Sequence, residues 1–380
     1  MKGVVPASTD AALADPTFSA AVIGWQKQHG RHALPWQNTR DAYRIWLSEI
    51  MLQQTQVAAV IPYYQRFLLR FPDVPALAAA PSEDVMAHWS GLGYYTRARN
   101  LHRCAQRIVT EYAGIFPADP ALLADLPGIG RSTAAAISAF AYGTRAAILD
   151  GNVKRVFARV FGIDGYPGEK KIEMGMWERA VALLPHQDVE SYTQGLMDLG
   201  ATLCTRSKPA CGACPLASRC VALATARVHA LPVRKPKKIN PERHTAMLVI
   251  VDRGYVLLEQ RPDHGIWGGL LSVPEVDLSR AAPAAGLSAE IARAVAPFGS
   301  VASCDPLLPF SHGFTHFKLH VKPYKLALSR RLDLAGQGPH VWYHAAKLPN
   351  APLPAPVKKM LLALFSEDDL FSQTASVMQV

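Results

Sequence analysis

The spacing of apolar residues changes at one segment of this 380-residue chain. Before that segment, apolar side chains recur at helical spacing between breaks at Pro and Gly. After it, they alternate with polar side chains, which is typical of strands with one buried face. The segment itself, residues 227–243, is rich in Pro and basic residues and is expected to be an exposed connector. The chain is therefore predicted to be a multidomain protein, with a mostly helical domain followed by an α+β domain.

These patterns also predict the domain boundaries. The expected parts are a flexible tail (1–20), an all-α domain (21–226), the connector (227–243), the α+β domain (244–365) and a second tail (366–380). In the α+β domain, TAMLVIV and YVLLEQ flank Asp252, Arg253 and Gly254 and predict a hairpin. The alternating HFKLHV predicts another strand, and a last helix is expected over residues 354–365.

Charge and composition narrow the class of partner. The formal net charge is +10 and the isoelectric point is about 9.3, which favours a polyanion such as nucleic acid. No apolar run is long enough to predict a membrane span. The first twenty residues lack the pattern of a signal peptide, so a cytoplasmic protein is expected, with a monomer as the default state.

One carboxylate lies on an apolar stripe of a predicted amphipathic helix over residues 41–61. Glu49 shares a helix face with Ile45 and Leu52. Glu49 is either a solvated side chain, which is the more common case, or an acid in a poorly solvated pocket. In the second case its pKa rises, and it can donate a proton near neutral pH.

A second carboxylate is predicted at the start of a helix. Asp150 follows the apolar AAIL and precedes Gly151 and Asn152, at the expected N-terminus of a basic helix. Backbone amides there stabilise an anion, so Asp150 is expected to stay ionised; a plain helix cap is equally compatible. A proton donor and an anion in opposed environments are what cleavage of a glycosidic bond requires.

The segment LPGIGRST, residues 126–133, lies between two predicted helices. Gly128 and Gly130 would let the backbone approach a ligand closely, and amides at the next helix N-terminus attract phosphate. Ser132, in the same segment, is also expected to contact DNA. The pattern predicts a helix-hairpin-helix that grips DNA without regard to sequence. An ordinary tight turn between packed helices is the alternative.

Four of the six cysteines cluster within a short segment. They are Cys204, Cys211, Cys214 and Cys220. Such clustering indicates metal ligation rather than disulfides, and the spacing leaves zinc and iron–sulfur both open. Arg206 and Lys208 lie between the first two cysteines and are expected to face a phosphate backbone.

Together these stretches resemble a known family. The motifs that carry the resemblance are LPWQ, WLSEIMLQQTQV, GLGYYTRARN, LPGIGRSTA, LDGNVKRV, MDLGATLCTRSKPACGACPL and WGGLLSVP. They resemble the helix-hairpin-helix DNA glycosylases with an iron–sulfur cluster, and specifically the MutY-type adenine glycosylases, from about Trp25 to the last helix. The resemblance implies base excision repair of adenine paired with 8-oxoguanine or guanine in duplex DNA.

The resemblance also implies roles for individual residues. Glu49 would protonate adenine, Asp150 would stabilise the sugar cation, and Asn152 would help to hold Asp150. Gln54 and Tyr94 would enter the DNA stack beside the flipped base, although Tyr94 also suits a core aromatic. The four cysteines match the ligands of a [4Fe-4S] cluster one for one.

The resemblance gives the α+β domain a different task. It is similar to the MutT-like domain that recognises 8-oxoguanine, whereas the Glu-rich helix that a Nudix hydrolase needs is missing after WGG. The family's Phe-Ser-His loop corresponds here to Phe314, Thr315 and His316, in which Thr keeps the hydroxyl and adds a methyl group. The nearby Phe310-Ser311-His312 is the alternative match, although His312 equally suits an edge strand.

Two rival functions stay open at this point. Endonuclease III has the same helical fold and is a glycosylase and lyase, but its nucleophilic Lys corresponds here to Ser132, which predicts weak or no strand cleavage. A non-enzymatic lesion sensor with an iron–sulfur cluster has no use for opposed Glu49 and Asp150. A third possibility, an electron-transfer enzyme for a small molecule, is set aside because the sequence lacks a nucleotide-binding motif such as GxGxxG.

Overall fold

The computed structural model describes residues 13–236, 240–278, 285–332 and 338–377. Side chains at 285–286 and 367–377 are outside the description. Contacts divide the described chain into two units. The helical unit comprises the described residues up to Ala79 and those from Asn100 to 236, and the sheet unit comprises Ala80–Arg99 and the described residues from 240 onwards. Within these residues no helix has the length and apolarity to cross a membrane.

The helical unit consists of helices and turns, as the apolar spacing predicts. Its helices are α1 (Pro16–His29), α2 (Ala42–Leu52), α3 (Val57–Arg70), α4 (Val74–Ala79), α6 (Thr96–Tyr112), α7 (Pro120–Ala124), α8 (Arg131–Tyr142), α9 (Gly151–Val160), α10 (Lys170–Ala182), α11 (Val189–Asp198) and α12 (Val221–Ala224). The first residues of α6 belong to the sheet unit, as does α5 (Ser82–Trp89). A π-helical turn, Leu199–Leu203, follows α11 directly.

The predicted helix over residues 41–61 is wrong in one respect, because it is interrupted. Helix α2 ends at Leu52 and α3 begins at Val57. Between them Gln54 has a φ of 56°, a left-handed conformation that no regular helix accommodates. The amphipathic stripe is therefore split into two helices, and Glu49 lies on the last turn of the first.

The flexible tail predicted for residues 1–20 is also wrong in its second half. Asp15 caps α1 by accepting hydrogen bonds from the amides of Thr17 and Phe18, and Pro16 occupies the first turn. Phe18 is fully buried, with its ring 5.5 Å from that of Phe161. An ordered helix therefore begins at Pro16, whereas residues 1–12 lie outside the described residues.

The sheet unit contains an eight-stranded sheet among its described residues. The strands are β1 (Glu242–Asp252), β2 (Tyr255–Gln260), β3 (Leu271–Ser272), β4 (Glu275–Asp277), β5 (Gly299–Pro306), β6 (Phe310–Gly313), β7 (Lys318–Arg331) and β8 (His340–His344). Their main order is β3-β2-β1-β7-β5, with β4 beside β1, β6 beside β7 and β8 beside β2. Strands β1 and β7 are parallel. The helices after the first strands are α13 (Ala285–Val295) and α14 (Ala355–Val377).

The predicted hairpin and its neighbouring strand are confirmed. Strands β1 and β2 pair antiparallel with Asp252 opposite Tyr255, and Gly254 takes a φ of 79° in the turn between them. Apolar side chains of both strands, including Leu248, Ile250 and Leu257, pack against α13 in a fully buried cluster. The sheet thus has the core that alternation predicts.

Three boundaries differ from those predicted. Residues 80–99 belong to the sheet unit, where Ser90 donates a hydrogen bond to the carbonyl of Leu353. The predicted connector is shorter, since Val228 and Leu231 are buried with Ala222 and β1 already begins at Glu242. The helix predicted to end at residue 365 runs to Val377, because nothing in its sequence stops it before then. Residues 237–239 and 378–380 lie outside the described residues.

Candidate active site and DNA-contacting surfaces

Glu49 projects into a cavity of the helical unit. The cavity has a volume of about 550 Å³ and is also lined by Ser48, Leu52 and Trp36. Burial, and secondly the negative charge of Asp150, raise the pKa of Glu49 to about 7. Of the two alternatives considered from the sequence, the structure contains the one in which Glu49 lies in a pocket, and the raised pKa favours the protonated carboxyl up to about neutral pH.

Asp150 occupies the predicted N-cap position of α9. One carboxylate oxygen accepts a hydrogen bond from the amide of Val153 at 2.8 Å, and the Asn152 side chain donates to the other at 3.4 Å. The amides favour the charged form of Asp150, as the sequence predicts, but burial has the larger effect and raises the pKa of Asp150 above its usual value. Hydrogen bonds thus favour the charged form of Asp150, whereas the charge on Asp150 disfavours that of Glu49, so the pair holds one negative charge most readily.

Arg155 connects Asn152 to the cysteine segment. Its guanidinium donates to the side-chain oxygen of Asn152 at 2.8 Å, to the carbonyl of Gly200 at 2.6 Å and to that of Cys204 at 2.7 Å. A Cβ at Gly200 would lie 2.4 Å from the Cβ of Asn152, so only Gly fits there. The orientation of Asn152 is therefore set by the turn that leads into the cysteines.

Arg159 also connects α9 to the cysteine segment, from a more buried position. It is 2% exposed and donates to the carbonyls of Thr205 and Leu231 and to the sulfur of Cys204 at 3.3 Å. Sequence reasoning placed Arg155 and Arg159 on a basic helix and gave them no role. Their spacing of four residues, which puts both on one helix face, was the available signal.

The four cysteines line one apolar cavity, together with Leu199, Leu203 and Leu216. Burial raises the pKa of Cys214 to about 11, and mutual repulsion among the four thiolates adds to that rise. A cation that neutralises thiolates would remove this cost. Among the described side chains, no three of these sulfurs lie within 4.8 Å of one another. Four ligands of one zinc ion, with bonds of ~2.3 Å, would lie only about 3.8 Å apart, so the set fits an iron–sulfur cluster better.

The predicted helix-hairpin-helix consists of α7, a turn and α8. Gly128 has a φ of 80°, and a Cβ there would lie 2.9 Å from the side chain of Asn100. Gly130 immediately precedes α8, where its surroundings are open enough for a ligand to approach. Ser132 has a structural contact, since its hydroxyl accepts a hydrogen bond from the amide of Leu149 at 3.0 Å and so joins the hairpin to the segment before Asp150.

The other candidates for DNA contact in the helical unit are exposed. Gln54 lies at the tip of the left-handed turn between α2 and α3. Arg206 and Lys208 are exposed on the cysteine segment, where Arg159 holds the backbone carbonyl of Arg206. The exposed side chains can reach a phosphate, and the backbone of Arg206 is held in place.

Tyr94 belongs to the sheet unit, where it shares a cavity with Thr315 and His316. Its side chain is 49% exposed, which excludes the core position considered for it. The cavity has a volume of about 520 Å³. Thr315 and His316 are exposed at the tip of a turn closed by a hydrogen bond from the amide of Phe314 to the carbonyl of Phe317.

Packed aromatic rings support the turn that carries Thr315 and His316. Phe314 stacks on Phe317 with ring centroids 4.7 Å apart, and Trp267 lies 5.4 Å from Phe314 and 5.7 Å from His312. The alternative loop, residues 310–312, lies within strand β6. Trp267 belongs to the WGG motif, but sequence reasoning assigned it no function, because its partners are 45 or more residues away.

Comparison with known proteins places these sites in context. Residues 47–180 match the family model of the HhH-GPD superfamily of base excision DNA repair proteins. Residues 204–220 match the iron–sulfur binding domain of endonuclease III, and residues 245–363 match the NUDIX domain. The fold and site thus define a helix-hairpin-helix repair glycosylase that carries a [4Fe-4S] cluster and a NUDIX-like domain.

Similar proteins narrow that class. Over 345 residues, the chain is 36% identical to an adenine DNA glycosylase of Buchnera aphidicola, covering 90% of this chain and 96% of that protein. Over 400 residues it is 31% identical to the human adenine DNA glycosylase, covering 90% and 73% of the two chains. The structure of a thermostable thymine-DNA glycosylase is similar to 55% of the chain, with a TM-score of 0.51 and 29% identity, over 96% of that chain. The chain belongs to the adenine DNA glycosylases, the DNA-binding enzymes of base excision repair.

Proposed function

We propose that this glycosylase excises adenine paired with 8-oxoguanine or guanine in duplex DNA. The products are free adenine and an abasic site in an intact strand. The observation that carries the chemistry is the unequal pair of carboxyl groups, in which a half-buried Glu49 with a pKa of about 7 is influenced by the charge of Asp150. Acting as a monomer and residing in the cytoplasm stay predictions from the sequence.

In the proposed reaction, the flipped adenine enters the cavity beside Glu49. Glu49 donates its proton to the base, at N7 as the family resemblance implies, and this turns adenine into a neutral leaving group. The bond from C1′ of the sugar to the base then breaks, and its electron pair leaves with adenine. Desolvation of the Glu49 carboxyl favours its protonated form until the base arrives.

Asp150 supports the second half of the reaction. Its carboxylate is held by the amide of Val153 and the side chain of Asn152, so it can remain charged and stabilise the positive sugar. Water adds to C1′, and the proton that it loses restores Glu49. Arg155 keeps Asn152 oriented toward Asp150 and is a positioning residue in this scheme.

DNA is held by groups on both units. The amides around Gly128 and Gly130 bind phosphate at the start of α8, and Arg206 and Lys208 bind phosphate from the cysteine segment. Gln54 and Tyr94 fill the stack that the adenine leaves. Thr315 and His316 contact 8-oxoguanine from the tip of their turn.

The [4Fe-4S] cluster, held by Cys204, Cys211, Cys214 and Cys220, would supply a covalent brace for this segment. Its position on the chain fits that role, because Arg155 and Arg159 already tie the segment to α9 and thus to Asp150. The segment therefore positions Arg206, Lys208 and Asn152, and the acid chemistry is carried by Glu49 and Asp150.

A single-turnover assay tests the proposal. The cluster-loaded protein is mixed in excess with duplexes that carry adenine opposite 8-oxoguanine, guanine or thymine. Adenine release and strand breaks are measured, the latter before and after alkali. We expect fast release opposite 8-oxoguanine, slower release opposite guanine, little opposite thymine, and breaks only after alkali.

Each rival predicts a different result. Strand breaks without alkali would indicate a lyase like endonuclease III, which the Ser132 hydroxyl in place of an amine argues against. Binding without adenine release would indicate a lesion sensor, for which a half-buried Glu49 with a raised pKa has no purpose. Equal release opposite all three bases would leave the excision chemistry intact and reject the role of Thr315 and His316.

A further inference from the structure

Three potential metal ligands meet on the exposed side of the sheet, outside the active site and the cysteine segment. They are Glu242, His244 and His320. One ligand atom from each lies within 4.8 Å of the others. Among the described residues this is the one group of three or more such side chains that meets that spacing.

Strand register explains why these side chains meet. His244 on β1 and His320 on β7 are direct partners in the parallel ladder, so their side chains leave the same face. Glu242 precedes His244 by two residues and therefore shares that face. On the other side of β7, Ser311 of β6 is the direct partner of His320. The row His244, His320 and Ser311 thus crosses three strands.

The hydrogen bonds of His320 suit a ligand. Its Nδ1 lies 2.9 Å from the Ser311 hydroxyl, and its Nε2 lies 3.2 Å from a carboxylate oxygen of Glu242. With Nδ1 donating to Ser311, Nε2 presents a lone pair toward the carboxylate. Two such acceptors need a positive centre between them, either a proton or a metal ion. Metal-bound imidazoles commonly donate their second N–H to a neighbouring oxygen in this way.

The spacing also suits one ion. Ligands at ~2.1 Å from zinc in tetrahedral directions lie about 3.4 Å apart, close to the 3.2 Å between His320 and Glu242. The His244 ring lies parallel to that of His320, with centroids 4.8 Å apart and an angle of 14° between the planes. A proton shared between His320 and Glu242 would explain their contact and would leave the His244 ring without a part in it.

We propose that Glu242, His244 and His320 bind a divalent transition-metal ion, with zinc the expected occupant. Two imidazoles and one carboxylate are a ligand set that zinc favours, and the exposed position leaves the remaining coordination to water. The ion would tie β1 to β7 shortly after the turn that carries Thr315 and His316. The site is separate from the four cysteines and does not depend on the proposed substrate.

The test is a zinc titration of the full-length, cluster-loaded protein. A chromophoric chelator competes for Zn²⁺, while the cluster absorbance and iron content are followed to show that the cysteines keep their iron. Replacing the exposed Cys304 by Ser beforehand removes a competing thiol. We expect one Zn²⁺ per chain, at least tenfold weaker binding in both H244A and H320A, and roughly tenfold weaker binding in S311A.

The matched control is H340A. His340 lies 3.7 Å from Glu259 on the same sheet, so this pair has one imidazole and one carboxylate but lacks a second histidine. Replacement of His340 by Ala should leave the zinc affinity unchanged. All variants are checked for an unchanged melting temperature in the chelator alone. Absence of the tight Zn²⁺, equal weakening in H340A, or full affinity in H244A and H320A would each overturn the site.

Discussion

The two units place their functional groups in opposite surroundings. In the helical unit, Glu49 and Asp150 lie in a desolvated region, and Arg159 is 2% exposed. In the sheet unit, Tyr94 is 49% exposed and Thr315 and His316 are exposed above a set of stacked rings. The ionisable groups of the helical unit are thus largely shielded from water, whereas the polar groups of the sheet unit are exposed to it.

This difference suits the two tasks that we propose. A general acid near neutral pH needs a raised carboxyl pKa, and removal of water is the simplest way to raise it. Recognition of a base needs polar groups that DNA can reach, supported by a rigid surface. Aromatic packing supplies that rigidity in the sheet unit, whereas partly buried hydrogen bonds donated by Arg155 and Arg159 supply it in the helical unit.

The largest effect is expected from Glu49→Gln. The amide keeps the size of the side chain but has no acidic proton, so single-turnover adenine release should fall about 10³-fold for every mispair. Binding of the uncleaved duplex should change little. The measurement is the release rate at saturating enzyme, together with the dissociation constant of the same duplex.

The matched control for this change is Glu190→Gln. Glu190 lines the same cavity but is paired with Arg40 and is 41% exposed. Its replacement should alter the release rate less than about threefold, as expected of an exposed ion pair. Comparable losses in both variants would mean that the cavity depends on negative charge in general, and Glu49 would lose its role as the acid.

A second large effect is expected from Arg159→Ala. The change leaves buried carbonyls of Thr205 and Leu231 without their donor and opens a cavity beside Cys204. A loss of about 3 kcal/mol in the stability of the helical unit is expected, with lower iron content after purification. Thermal unfolding and iron analysis measure both.

Arg179→Ala provides the comparison for that variant. Arg179 also lies on a helix, with its guanidinium 4.2 Å above the ring of Phe161, and is only partly buried. Its loss should cost about 1 kcal/mol at most and spare the iron. If the two variants retained equal iron, buried hydrogen bonds would not be what holds the cysteine segment.

Much of this site follows from local patterns in the sequence. The N-cap at Asp150, the hairpin glycines and the β1–β2 hairpin each depend on residues close together in the chain, and the structure contains all three. The protonation state of Glu49 depends on whether its side chain faces solvent or lies in a pocket. The apolar stripe made both possible, and only tertiary burial decides between them.

The features that the sequence did not predict depend on contacts between residues that are far apart in the chain. The break at Gln54 lies in a segment whose residues all tolerate helix, so the local pattern does not reveal it. The partners of Arg159 begin more than 40 residues away. Assignment of residues 80–99 to the sheet unit depends on contacts with residues far away in the chain, of which the hydrogen bond from Ser90 to Leu353 is one. Burial of Asp150 is likewise a product of packing and outweighs its local cap.

The pH dependence of adenine release tests the acid role of Glu49 in the helical unit. Burial raises the pKa of Glu49 to about 7, so the acid is protonated below that pH and is lost as pH rises through it. Adenine release should therefore fall up to about tenfold per pH unit above 7. Because the raised pKa means that the folded state holds this proton more tightly than the unfolded chain does, wild type should lose stability relative to Glu49→Gln as pH rises from about 4.5 to about 7, and the difference should stay constant above that. Release that stays flat from pH 6 to 9 would reject the acid role.

The smallest effect tests the sheet unit, at Thr315. Thr315→Val keeps the shape and removes the hydroxyl, whereas Thr315→Ser keeps the hydroxyl and removes the methyl group. Loss of one exposed hydrogen bond to the lesion should weaken the preference for 8-oxoguanine over guanine about fivefold in Thr315→Val. Thr315→Ser should stay within about twofold of wild type. Competition binding of the two duplexes measures this ratio, while release from each at saturation should stay constant. If Thr315→Val instead slowed the saturated release rate as strongly as Glu49→Gln, the separation of chemistry from recognition between the units would be wrong.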